Sequence, residues 1–219
     1  MSCSTQSSPR LTFRFYLQVV VCSVLWGSAF PVIKNSYTVL NIENYGEQLV
    51  FAGSRFALAG LLLLPFCRNT LMGTICHAPR VALLTIILGQ TYLQYIFFYY
   101  GLNVSSGTLA ALLVGSGSFW WMILAPLTLK TPRPTRWHWM LLVGCCVGIV
   151  CAVYTPGSDL RNAGIGTGAF LLATLSGSFG AIAMKRVAPT TGTLTPTCVA
   201  LGAGGLLLML TAAPYWQSY

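Results

Sequence analysis

Seven apolar stretches run through this chain of 219 residues, and its basic residues fall almost entirely in every second gap between them. The stretches are Phe15 to Ile33, Leu49 to Phe66, Val81 to Tyr100, Thr108 to Leu129, Trp137 to Tyr154, Gly164 to Met184 and Thr197 to Tyr215. Each has about the length an α-helix needs to cross a bilayer, roughly 20 residues at about 1.5 Å each. The predicted fold is therefore all-α and integral to the membrane, a polytopic helical bundle of seven crossings.

The charges orient it. Arg10, Arg14, Arg68, Arg80, Lys130, Arg133, Arg136, Lys185 and Arg186 lie on one side of the predicted bundle, Lys34 and Arg161 lie on the other, and Arg55 sits within a stretch. The acids, Glu43, Glu47 and Asp159, share the side with the two. Cytoplasmic loops of membrane proteins retain Lys and Arg. The pattern places the amino terminus in the cytoplasm, in a plasma or inner membrane, and after seven crossings the carboxyl end of this chain outside.

Composition excludes the main soluble alternatives. With 7% charged and 55% hydrophobic residues, the chain has too little polar surface to cover a water-soluble domain of this length. Its formal net charge of +9 comes from basic residues scattered at helix ends rather than gathered in one patch, so no nucleic-acid partner is expected. Two arginines precede the first stretch, yet that run exceeds the apolar core of a signal peptide and no small-x-small cleavage site follows it; it reads as a retained helix. The eight cysteines contain no CxxC pair, and Cys22, Cys145, Cys146, Cys151 and Cys198 fall inside stretches as small apolar fillers. No metal or other cofactor is expected.

The chain also repeats itself. Leu25-Trp26-Gly27-Ser28 recurs as Leu175-Ser176-Gly177-Ser178 at an offset of 150, and Gly53 to Pro65 answers to Gly202 to Pro214. Helix one thus resembles helix six, and helix two resembles helix seven. A unit of five crossings is odd, so its second copy enters the membrane from the opposite face, and inverted repeats of this kind belong to alternating-access transporters. This divides the chain into a cytoplasmic tail (1–14), a first five-helix repeat (15–154), an outer loop (155–163) and a partial second repeat of two helices (164–219). Adding 150 to Tyr154 puts the second repeat's end at roughly residue 304, so three helices of a ten-helix plan are absent from this sequence. A fragment, and a short form that works with a partner, both fit.

At the first helix, Ser23-Val24-Leu25-Trp26-Gly27-Ser28-Ala29-Phe30-Pro31-Val32-Ile33-Lys34 resembles the opening helix of the EamA-type drug/metabolite transporters, whose pattern is close to LWGsxFxxxK. Arg55-Phe56 followed by Ala57-Leu58-Ala59-Gly60-Leu61-Leu62 is similar to their second helix, and Ser105-Ser106-Gly107-Thr108-Leu109-Ala110-Ala111-Leu112-Leu113 to the start of their fourth. The resemblance implies a ten-helix carrier that exports metabolites, often amino acids or drugs. Where the family commonly has a Pro in the middle of the fourth helix and a Glu just beyond its end, this chain has Gly115-Ser116-Gly117-Ser118 and then Lys130-Thr131-Pro132-Arg133. That departure puts any role of the acid at the cytoplasmic face in doubt and suggests a divergent subgroup.

Several residues are candidates for substrate contact. Pro31 lacks an N–H, which frees the carbonyl of Gly27 and makes Gly27 and Pro31 a candidate hinge. In a bilayer that carbonyl must face protein or a wet cavity, which places Trp26 and Ser28 beside it; the competing reading is a packing kink. The inverted copy presents Ser176 and Ser178 at the matching depth. Arg55 is costly in hydrocarbon, by roughly 2.5–3.5 kcal/mol, and is a candidate to attract an anionic group or gate the outer mouth. Counted from Leu49 it lies about 9 Å below the outer face, so a side chain snorkelling towards Glu43 or Glu47 is the alternative. Gln90 and Gln94 share a face of helix three, with Tyr92, Tyr95 and Tyr99 beside them, either lining a cavity or tying helices together. Trp120 and Trp121 face that cavity or lipid. Gly144 and Gly148 form a GxxxG, expected to serve packing within the molecule ahead of a homodimer.

The function these features predict is export of a small, uncharged or zwitterionic metabolite by alternating access. A passive channel, and a non-transporting remnant or accessory subunit, remain alternatives. An enzyme is not expected: Gly115-Ser116-Gly117-Ser118 resembles a serine nucleophile motif, but His77 and His138 fall in or beside the cytoplasmic loops and no carboxylate lies within a helix. The expected partners are the lipid bilayer, the substrate and either a second copy or a partner subunit.

Overall fold

A computed structural model describes residues 13–105, 107–129, 131–153 and 160–214. Arg10, Lys130, Tyr154 and Asp159 lie outside the described residues, as do the side chains of Arg14, Trp26, Lys34, Arg68, His77 and Arg161. Helices account for almost all of the described chain, and no strand occurs among the described residues. Six helical runs among them are long and apolar enough to span a membrane: Phe15–Val39, Tyr45–Cys67, Arg80–Val104, Leu109–Thr128, Gly164–Thr191 and Leu194–Thr211. The protein is an all-α, polytopic membrane protein. The remaining predicted stretch is also helical, as α7 (Arg136–Val153).

The chain divides into two units, residues 1–42 and 43–219. The described part of the first is a single helix, α1 (Phe13–Val39), with Pro31 in its interior. The helix continues for eight residues beyond Pro31. Its serine hydroxyls are satisfied locally: Ser23 donates to the carbonyl of Val19 (2.8 Å), Ser28 to Leu25 (3.1 Å) and Ser36 to Val32 (2.8 Å). Such back-bonding lets a hydroxyl sit in an apolar helix without an external partner.

The second unit begins with α2 (Tyr45–His77), which starts four residues before the apolar stretch does. The reason is a cap. Glu47, at the third helical position, reaches back to accept from the backbone N–H of Glu43 (2.9 Å) and of Asn44 (3.2 Å), and its second oxygen accepts from the Asn44 amide (3.2 Å). These are donors the helix itself cannot satisfy. Glu47→Ala is expected to cost about 1 kcal/mol, read as a lowered thermal midpoint in detergent, with any transport retained.

The third stretch is not one regular helix. It runs as α3 (Arg80–Ile86), a π segment (Ile87–Leu93) and α4 (Gln94–Val104). The fourth is broken into α5 (Gly107–Val114) and α6 (Gly117–Thr128) by a turn at Gly115 and Ser116. Then come α7, α8 (Leu160–Thr191) and α9 (Leu194–Thr211). Gly192, at φ +70°, ends α8 in the left-handed conformation that glycine adopts without strain, and its N–H bonds to the Ala188 carbonyl at 2.9 Å.

Two packing arrangements organise the unit. Helices α2 and α9 run antiparallel with backbones in contact. A Cβ on Gly53 would meet Met209 Cγ at 2.7 Å and the Gly205 carbonyl oxygen at 2.8 Å, and one on Gly60 would meet Gly202 N at 2.6 Å. Further along the same crossing, the hydroxyls of Thr70 and Thr195 pair at 2.7 Å. Small residues at such interfaces let dispersion contacts hold helices together where lipid offers no hydrophobic drive. Helix α8 forms the second arrangement, lying against both the π segment and α6. Around it pack two apolar clusters, one of Leu83, Ile86, Ala183, Val187 and Ala200, the other of Leu109, Ala110, Leu113 and Phe170. Leu61, Leu62 and Phe66 on α2 are exposed, as side chains facing lipid would be.

The GxxxG of α7 departs from expectation. A Cβ on Gly144 or Gly148 would have nothing within 4 Å, so among the described residues of this unit no helix approaches closely at these two glycines.

Candidate functional site

Helix α8 carries Thr174, Ser176 and Ser178, and their hydroxyls point in two directions. Ser176 donates to the carbonyl of Gly89 in the π segment at 3.0 Å. Ser178 donates to its own helix at Thr174 (2.8 Å) and to the Gly117 carbonyl at the break in the fourth stretch (3.3 Å). Thr174 pairs with Ser116, in the turn itself, at 3.0 Å. A π segment and a helix break both disturb the regular hydrogen-bond ladder, and in hydrocarbon the displaced groups need protein partners. The α8 hydroxyls supply them at both places. Thr174→Val is expected to cost about 0.6–1.7 kcal/mol, seen as a lowered thermal midpoint.

Between these stitches lie the two amides of the third span. Gln90 packs against Gly180 so closely that a Cβ there would stand 2.6 Å from Gln90 Cβ, and Gln94 occupies the space over Gly177, whose Cβ would stand 2.7 Å from Gln94 Cδ. Both amides therefore meet α8, as their four-residue spacing predicted. The Gln90 Oε1 atom is buried and has no hydrogen-bond partner. In a buried site such an orphan costs about 1–3 kcal/mol, so it marks a place where a donor is missing.

Tyr95 continues this face into an aromatic group. Its ring lies 4.3 Å from that of Phe56 on α2 and 6.1 Å from that of Tyr99, while Phe98 contacts both Tyr99 (5.4 Å) and Phe170 of α8 (5.6 Å). Tyr45, at the start of α2, donates to the Ile96 carbonyl at 3.0 Å. These contacts hold α2 and α4 together.

Arg55 sits next to this group. Arg55 lies ten residues beyond the start of α2, roughly 15 Å along the helix axis, and six residues beyond Leu49, where the apolar run begins. It falls within the apolar helical run Tyr45–Cys67. Its Cζ lies 5.5 Å from the Phe51 ring centroid and 5.9 Å from that of Phe56, and its Nη1 is buried without a hydrogen-bond partner. The Glu47 carboxylate, one of the two acids expected to receive it, is engaged in the helix cap.

The structure thus brings Gln90, Gln94 and Ser176 together at the junction of the third span with α8, links Tyr95 to Arg55 through Phe56, and places Ser178 at the fourth-span break. Ser28 lies in the separate first unit, bonded to its own helix; the Trp26 side chain lies outside the described residues. Gln48 was missed from sequence. Its Oε1 on α2 and the Trp120 Nε1 on α6 are both buried without a partner. Gln48 was legible in principle, since it precedes Arg55 by seven residues and so shares its face. Trp121 serves the opposite end of the fourth span from its turn, with Lys185 Nζ 5.4 Å from its ring centroid, and Arg186 donates to the Thr128 carbonyl there at 2.7 Å. His138 accepts from the Thr135 backbone N–H at 3.2 Å and pairs with its hydroxyl at 2.7 Å, at the start of α7.

Apolar spans that enclose buried amides, hydroxyls and one guanidinium define a multi-pass membrane protein with a polar interior. The family model for the EamA-like transporter family matches residues 14–154, and the chain belongs to that family. It is a membrane transporter of the drug/metabolite type. No curated protein and no solved structure matches the chain.

Proposed function

We propose that this chain is a carrier that exports small, uncharged or zwitterionic metabolites by alternating access between two inverted repeats, the first over residues 15–154 and the second beginning at residue 164. The observation that carries the reading is a reciprocity at the α2–α9 crossing. Gly53 to Pro65 corresponds to Gly202 to Pro214 at an offset of 149, which makes Gly202 the counterpart of Gly53 and Met209 that of Gly60. Gly53 meets Met209, and Gly60 meets Gly202. Each contact is the other with the two copies exchanged, as a two-fold axis in the membrane plane requires. Antiparallel packing of the two helices supports the same relation.

In this reading Gln90, Gln94, Tyr95 and Ser176 line the substrate path where the third span meets α8, Arg55 reaches it from α2, and Ser178 braces the fourth-span break beside it. Trp26 and Ser28, with the hinge at Gly27 and Pro31, are the matching elements of the first helix. The π segment supports this placement, since such segments recur at functional sites in helices. The basic ends of the spans favour a cytoplasmic amino terminus in the plasma or inner membrane, and the open GxxxG of α7 is compatible with a second copy or a partner subunit.

The test is reconstitution of the 219-residue chain in liposomes, with uptake from a mixed metabolite pool followed by mass spectrometry. Saturable, selective uptake that is accelerated by substrate on the opposite side is the expected result. Linear, unsaturated flux would identify a channel, and correctly inserted protein with no flux would identify a remnant or accessory subunit.

A further inference from the structure

Arg55 Nη1 and Gln48 Oε1 are both buried on α2 without a hydrogen-bond partner, one a charged donor and the other an acceptor. Seven residues separate them, close to two full turns, so they share a face. That face is not the one that holds α9: Arg55 lies about 200° around the helix from Gly53. The polar pair is therefore independent of the glycine contact.

The guanidinium Cζ is 5.5 Å from the ring of Phe51, one turn nearer the start of α2, and 5.9 Å from that of Phe56. Helical side chains tilt towards the start of their helix, the direction in which Gln48 lies. From the level of Phe51 to that of Gln48 is roughly 5 Å of helical rise. A guanidinium offers five N–H donors, accepts nothing and stays charged, so burial leaves it in need of an acceptor. Removing the partner of a buried charge is strongly unfavourable, and a charge within a membrane span marks a functional site by default. The neighbouring Glu47 carboxylate already accepts three hydrogen bonds from Glu43 and Asn44.

We propose that Arg55 and Gln48 form a binding site for a small carboxylate that carries a hydroxyl group beside its carboxyl carbon. The carboxylate accepts from the planar guanidinium fork, which suits it better than an ammonium would. The adjacent O–H donates to the Gln48 amide oxygen. The flanking rings of Phe51 and Phe56 limit water around the charge. The site rests on the carrier reading and widens its cargo from uncharged and zwitterionic metabolites to hydroxy acid anions. A lipid phosphate is the other oxyanion that could satisfy Arg55, and the experiment separates the two.

The purified 219-residue chain in nanodiscs is unfolded thermally in the presence of mandelate, phenylacetate or mandelamide. Mandelate is expected to raise the midpoint at about tenfold lower concentration than phenylacetate, a difference of about 1.4 kcal/mol. Mandelamide, without the carboxylate, is expected to leave it unchanged. Arg55→Gln is expected to remove the response to both acids, while Gln48→Met keeps an acid response but equalises mandelate and phenylacetate. Should Arg55→Gln fail to fold, Arg55→Lys is the second variant, expected to weaken both acid responses several-fold. Equal responses to acid and amide, acid responses that survive at position 55, or no acid response at all would overturn the site. The measurement is repeated in phosphatidylglycerol and in phosphate-free digalactosyl lipid. A midpoint that follows the lipid in the wild type but not in Arg55→Gln, and ignores the acids, would assign the guanidinium to headgroup phosphate and also overturn the proposal. Saturable metabolite flux without acid binding would sink this site alone; acid binding without flux would sink the carrier reading and leave the site.

Discussion

Gly205→Leu is expected to disrupt the α2–α9 pair and cost about 3 kcal/mol or more of stability, beyond the range usual for overpacking. A Cβ at Gly205 would stand 2.5 Å from Ala57 N, 2.8 Å from the Gly53 oxygen and 3.0 Å from Phe56 C. Every one of these atoms is backbone, so no rotamer change relieves the clash. The helices must separate, and that forfeits the close contacts along the whole crossing, including the Thr70–Thr195 bond and the contact of Cys198 Sγ with the Gly60 oxygen at 3.3 Å. Gly60→Leu is expected to behave alike, because its added carbon meets Gly202 N and Cα. Gly144→Leu supplies the control, with open space around it and an expected effect within about 0.5 kcal/mol. Thermal unfolding in detergent, followed by far-ultraviolet circular dichroism, reads all three. An unchanged midpoint for Gly205→Leu would mean that the two helices are not packed through their glycines.

A second glycine substitution should act on function rather than folding. Gly177→Ala is expected to keep the midpoint near that of the wild type while lowering flux in proteoliposomes about tenfold, a change of about 1.4 kcal/mol in effective barrier. Here the added methyl meets the Gln94 amide, the far end of a flexible side chain, instead of backbone. The amide can move aside at little cost, but it then leaves its position between the third span and α8. Gln94→Ala should lower flux comparably, and the double variant should add little, since both changes remove the same placed group. Wild-type flux in both single variants would take this junction off the transport path.

Much of the architecture was legible because hydrocarbon imposes it. Apolar runs of bilayer length marked the helices, and the family resemblance was carried by the residues around Trp26 and Arg55. Apolarity, however, locates the bilayer and not the helix. Leu49 begins the apolar run, but Glu47 caps the helix from Tyr45, about one turn earlier. The π segment left no trace, because the polar face at Gln90 and Gln94 has the four-residue spacing of an ordinary helix turn. The fourth-span break was nearer to legible. Gly115-Ser116-Gly117-Ser118 stands where the family pattern has a proline, and the helix is interrupted at Gly115 and Ser116 without one. The roles of Ser176 and Ser178 could be read only in part, since a repeated serine shows that a hydroxyl is wanted at that depth and not which carbonyl receives it.

The α2–α9 crossing also has a mechanical meaning. Backbone pressed against backbone leaves no side chain to repack, so this crossing holds the spacing of its two helices fixed. The contacts of α8 are of another kind: single hydroxyl bonds and an amide end. The unit therefore joins one rigid seam to a row of separate fastenings.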